Sequence, residues 1–144
     1  MIVAFFGHAQ YHKTNEHEHI ILNILEQNIG NASADLYFGN YGAFDNFAYY
    51  CGKKYKATHP NVSLIFVTPY PIKKKPSQQY DTIIYPELEN KPAKFAIFYR
   101  NRYMVEKADL VIAYIEREWG GAYQSYKYAK SKRKPIYNLA ESNV

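Results

Sequence analysis

Cysteine is nearly missing from this chain: Cys51 is the only one among 144 residues. That count excludes a disulfide framework and a cysteine-based zinc site. Cys51 reads as a small buried side chain in a helix. Long apolar runs are missing too. No stretch approaches the ~20 residues that a membrane-spanning helix needs. The opening run, Ile2 to Phe6, lacks a basic leader and is too short for a signal-peptide core. It reads as a buried strand, and a cytoplasmic protein is expected. No internal repeat or low-complexity linker interrupts the chain. With 47% apolar and 22% charged residues, disorder is excluded as the main description. The length suits one domain spanning 1–144.

Tyrosine, by contrast, is abundant, at 16 residues. A tyrosine can bury its ring and keep its hydroxyl at a wet edge, which fits a chain lining a polar cleft. The net charge of +5 fits an anionic partner. The excess lies in Lys53, Lys54 and Lys56, in Lys73 to Lys75, and in Lys127 to Lys134. These read as a solvated helix face and two solvated loops; nucleic-acid binding would need such patches to converge on one face. His8, His12, His17 and His19 cluster in sequence. His17 and His19 face different sides of a helix, so no metal site is expected.

Apolar runs and helical patterns alternate. Strands are expected at Ile2 to Phe6, Asp35 to Phe38, Val62 to Val67, Asp81 to Tyr85, Asp109 to Ile115 and Pro135 to Leu139. A first helix, capped by Thr14 or Asn15, carries Ile20, Ile21, Ile24 and Leu25 and stops at Gly30-Asn31. A second follows the turn Gly39-Asn40-Tyr41-Gly42, with Asp45 as its expected cap, and carries Phe47, Tyr50, Cys51 and Tyr55. A third starts near Pro92, with Phe95, Phe98, Arg102 and Val105 on one stripe. A fourth opens at Gly120-Gly121 and runs through Lys130. Thr68 to Tyr80, with three prolines and three lysines, is a mobile loop in this reading. The alternation indicates βαβ units. The expected fold is therefore an α/β, Rossmann-like three-layer sandwich with a mainly parallel central sheet of five to six strands.

In such sheets ligands sit at the carboxyl ends of the strands. Gly120-Gly121 followed by Ala122 puts unpaired helix N–H groups at such an end, where a phosphate would fit. Gly39, Gly42 and Asp45 form a second such turn. Asp45 caps its helix or accepts from a ribose hydroxyl. Residues two apart on a helix point about 200° apart, so only one of Arg100 and Arg102 can face a ligand. An arginine in a pocket holds phosphate through bidentate contacts. Gly7 and His8 follow the first strand directly. Glu116 and Glu118 are the carboxylates nearest to the glycine pair and the candidate acid-base groups. No cofactor is implied.

The order of motifs, Phe5-Phe6-Gly7-His8, then Gly39 to Asp45, Arg100-Asn101-Arg102-Tyr103-Met104-Val105, Ala108 to Ala113, Gly120-Gly121-Ala122-Tyr123, Tyr128-Ala129-Lys130 and Lys134 to Leu139, resembles the SLOG superfamily. Within it, the chain is similar to the small YpsA/YoqJ-like branch of Gram-positive bacteria and their phages. The resemblance implies a Rossmann-like fold that binds nucleotides or nucleotide-derived ligands, as a sensor or sequestering protein, and self-association into a homo-oligomer. Relatives include LOG-type enzymes, which cleave base–ribose bonds, and DprA proteins, which bind single-stranded DNA. Arg100 matches the LOG arginine by its spacing to Met104 and Asp109. The LOG glutamate has no counterpart: Gln124, Ser125 and Tyr126 occupy its region. Without that carboxylate, binding survives where N-glycosidase chemistry is lost. Three functions follow: binding of a nucleotide-like small molecule first, N-glycosidase activity second, single-stranded nucleic-acid binding third.

Overall fold

The computed structural model describes residues 1–72 and 74–141. Lys73 of the second basic cluster lies outside them, as do the last three residues of the expected 1–144 domain. The fold is α/β, with one six-stranded sheet in the order β4-β3-β2-β1-β5-β6. The strands are β1 (Ile2–Gly7), β2 (Ala34–Phe38), β3 (Val62–Val67), β4 (Thr82–Ile84), β5 (Leu110–Tyr114) and β6 (Ile136–Asn138). Every pairing is parallel. The helices are α1 (Asn15–Asn28), α2 (Gly42–Lys56), α3 (Ala96–Lys107) and α4 (Gly121–Ser131).

The layers follow from the apolar pattern. Alternate strand residues point to opposite faces, and both faces of the central strands are apolar. Val3 and Phe5 join one core with Ile21 and Leu25 of α1 and Phe44, Ala48 and Cys51 of α2. Ala4 and Phe6 join the other core with Met104 and Val105 of α3 and Ala129 of α4. Phe5 stacks on Phe38 with ring centroids 5.0 Å apart. Burial of each such side chain is worth roughly 1.5–3 kcal/mol.

Local chemistry fixes the helix starts. Thr14 caps α1 by accepting from the His17 N–H. Asp45 lies inside α2, not before it. The helix already begins at Gly42, and the Asp45 carboxylate reaches back to accept from the Tyr41 N–H at 2.9 Å. Tyr50 is exposed, whereas Phe44 and Ala48 complete the buried face of α2. In α3 the stripe is Ala96, Arg100, Met104 and Val105, and Ile97 and Phe98 are exposed. A four-residue step from Ala96 carries the arginine inward, where an apolar-only pattern expects Phe98.

Strand order positions the site. Chain from β1 passes to α1 on one face, and chain from β5 passes to α4 on the other. β1 and β5 are neighbours, so their exits diverge and leave a crevice at the carboxyl rim, the topological switch point.

Candidate functional site

A hollow of about 170 Å³ occupies this crevice. Phe5, Phe6, Gly7 and His8 form its floor. Ile97, Arg100, Asn101 and Met104 of α3 line it, and Arg117, Gly120, Gly121 and Ala122 line it after β5. Gly39, Tyr41 and Asp45 contribute from the turn after β2. The sequence-nominated Gly7, His8, Gly39, Asp45, Arg100, Gly120, Gly121 and Ala122 thus meet at one cavity. Three nominated residues stand outside it. Gly42, at φ +88°, packs against Ala9, where a Cβ would stand 2.5 Å from the Ala9 Cα; its freedom serves the turn. Glu116 is exposed and accepts from the Tyr114 hydroxyl at 3.1 Å. Glu118 is exposed as well.

The arginine that the sequence missed is Arg117. The chain bends at 117–118 after β5, and Arg117 lines the hollow whereas Glu116 and Glu118 do not. Its guanidinium lies 4.0 Å from the centroid of the exposed Trp119 ring. Its Nε is buried without a hydrogen-bond partner. A buried donor without a partner costs about 1–3 kcal/mol, and the residue lines the hollow.

Arg100 is 3% exposed. Its Nη1 donates to the Gly39 carbonyl at 2.9 Å and to the Val67 carbonyl at 2.8 Å, and its Nε donates to Asn101 Oδ1. It therefore ties the carboxyl ends of β2 and β3 to α3 while its guanidinium edges the hollow. Burial lowers its pKa, and the nearby Asp45 charge opposes that. Asp45 is buried as well. Desolvation lifts its carboxyl to about 7 against the pull of the Tyr41 N–H and of Arg100. His8 is 2% exposed, and its Nε2 accepts from the Glu116 N–H at 3.1 Å. Burial and the Arg117 charge lower its pKa. His8 is thus a neutral ring that holds the start of the β5–α4 loop.

The glycines divide into packing and access. A Cβ at Gly7 would lie 2.2 Å from the Phe44 ring, so Gly7 makes room for the core. Gly120, at φ +95°, and Gly121 have no heavy atom within 4 Å of a built Cβ. Gly120 caps α4 without a side-chain hydrogen bond. Gly120, Gly121 and Ala122 line the hollow, so the uncapped amino end of α4 borders it and the helix dipole adds a positive end there. With two arginines and uncapped amides, the cleft is built to hold an anion. Beside it lies a second hollow of about 340 Å³, lined by Phe66, Pro69, Tyr70 and Ile72 and sharing Gly39, Tyr41, Ile97 and Arg100 with the first. Its apolar walls suit a flat, less polar group.

No family model matches the chain, and no curated protein matches it. Among solved structures, it is similar to the DNA processing protein A of Helicobacter pylori, described for its single-stranded DNA binding mode. The TM-score is 0.60 at 19% sequence identity, over 99% of this chain and 68% of that one. The two share a Rossmann-like fold.

Proposed function

We propose that this chain binds a nucleotide or nucleotide-derived small molecule at the carboxyl rim of its sheet, as a sensor or sequestering protein of the SLOG type, in the YpsA/YoqJ-like branch. One observation carries the reading. The uncapped amino end of α4, Arg100 and Arg117 all border one hollow. A phosphate entering it would accept from the amides of Gly121 and Ala122 and from Arg117. Asp45, neutral at mildly acidic pH, would donate to or accept from a sugar hydroxyl. The neighbouring hollow would take the base.

N-glycosidase activity is the weaker reading. It needs a carboxylate at the developing positive charge, and neither Glu116 nor Glu118 lines the hollow. Asp45 is the carboxylate that does. Single-stranded nucleic acid, presenting one nucleotide to the same cleft, is a further reading supported by the likeness to the Helicobacter pylori protein.

Isothermal titration against a panel of nucleoside mono- and diphosphates, ADP-ribose and cyclic ADP-ribose tests the proposal. At least one member is expected to bind, with affinity lost in Arg117→Ala. Heat from none of them, with folded protein, overturns it. Chromatography of the same mixtures is expected to show no free base.

A further inference from the structure

Away from the cleft, α3 and α4 form an outer face with a charge pattern of its own. The basic clusters at the end of α2 and on α4 lie on opposite faces of the sheet. Lys54 pairs with Glu18 at 2.8 Å and Lys56 with Asp81 at 2.6 Å, so the cluster at the end of α2 is largely neutralised where it stands. The cluster from Lys127 onward is different. It joins Arg102 and Lys107 of α3, and α4 itself carries no acidic residue. Glu106 of α3 is engaged by the Tyr128 hydroxyl at 2.7 Å.

Aromatic rings organise these cations. Lys127, Lys130 and Lys132 lie over the rings of Tyr123, Tyr126 and Tyr128, at 5.6, 4.9 and 5.4 Å from the centroids. Each pair is four residues apart, the spacing that stacks side chains along one side of a helix. Arg102 bridges the two helices, 4.7 Å from the Phe98 centroid and 4.3 Å from that of Tyr128. A groove of about 240 Å³ runs between the helices, lined by Phe98, Arg102, Ser125, Lys127 and Tyr128 among others. Phe98, which lines it, stands 42% exposed, and Phe95, three residues earlier, 47%.

The geometry points to a docking surface for single-stranded nucleic acid on the α3–α4 face, separate from the cleft. Phosphates would follow the ordered lysines, and bases would stack on Phe98 and Phe95. Charge selects this occupant over a second copy, because two such faces apposed would repel. Exposed rings select a single strand, because a duplex hides its base faces.

Fluorescence anisotropy of a labelled oligothymidylate of about 20 nucleotides, long enough for typical site sizes, tests this with the full chain. Wild type should bind, with log affinity falling linearly against log salt. Lys127→Glu with Lys130→Glu should weaken binding at least about tenfold and flatten the salt slope by about 1.4. Phe98→Ser should weaken it without changing the slope. These positions are exposed, and circular dichroism should report an unchanged fold. Excess free AMP should not displace the strand, and the lysine variants should keep any nucleotide binding in the cleft. Lack of binding by wild type, equal binding of a duplex, an unaffected double-lysine variant, or displacement by AMP would each overturn the proposal. A shift of oligomeric state in Phe98→Ser without any effect on the oligonucleotide would give this face to a second copy instead.

Discussion

Arg100 and Asp45 flank Gly39 from two sides: a Cβ at that glycine would lie 3.2 Å from both the Arg100 Nη2 and the Asp45 Oδ2. The two charged groups share one buried corner, yet the arginine spends its Nη1 on two backbone carbonyls and the aspartate accepts from a backbone N–H. The corner is therefore both a structural joint and a wall of the candidate site.

Replacing the arginine tests the joint. Arg100→Met leaves the Gly39 and Val67 carbonyls without their donor. Each buried, unsatisfied group costs about 1–3 kcal/mol. Urea denaturation should show a loss of about 2–4 kcal/mol, and nucleotide binding should fall with it. Unchanged stability would mean that the guanidinium is not holding these strand ends.

Asp45 makes stability depend on pH. Its native pKa of about 7 lies above the ~3.9 of an unfolded aspartate. The folded state therefore holds an extra proton between about pH 4 and 7. Its contribution is present below that window and is lost as pH rises through it, by at most about 4 kcal/mol. His8 works the other way: its lowered pKa makes the folded state gain stability as pH rises up to the ordinary value of about 6.5, above which the gain is fully present. The difference between wild type and Asp45→Asn isolates the aspartate, since asparagine still accepts from Tyr41. Denaturation midpoints should diverge in favour of Asp45→Asn as pH rises from 5 to about 8. Parallel curves would contradict the raised pKa.

The two glycines of α4 should part company. Gly121→Ala meets no steric obstacle and gains helix propensity, worth up to about 1 kcal/mol. Its melting temperature should hold or rise while its methyl, standing in the hollow, weakens nucleotide binding. Gly120→Ala, at φ +95°, should instead lose about 1–2 kcal/mol to backbone strain. If Gly121→Ala bound nucleotides as wild type does, the amides would not be the anion site.

Gly7→Ala drives a methyl into the Phe44 ring. Overpacking of this kind costs about 1–3 kcal/mol, measurable as a lower denaturation midpoint. No change would show that the Phe44 ring has room to move.

The element order was legible because apolar runs such as Val62 to Val67 and glycine stops such as Gly30 are local signals. The gathering of Gly39, Arg100 and Gly121 at one rim was also accessible, since parallel topology brings strand exits together. Two features were hidden. Arg100 takes an apolar residue's place on the inner stripe of α3, so apolar periodicity favours the stripe of Phe98 instead. Arg117 stands between two glutamates in a bent loop, where no local periodicity tells which of the three lines the hollow. Gly7 belongs to the floor of the hollow, and its requirement for glycine comes from the Phe44 ring.

The most direct measurement of the central claim is the amide NMR spectrum of isotope-labelled protein during titration with the nucleotide that binds most tightly by calorimetry. The account predicts saturable shifts centred on the Gly121 and Ala122 amides and on Gly39 and Tyr41, with the Lys53 to Lys56 end of α2 unmoved. Shifts confined to other surfaces, or no shift from any nucleotide at millimolar concentration, would contradict it.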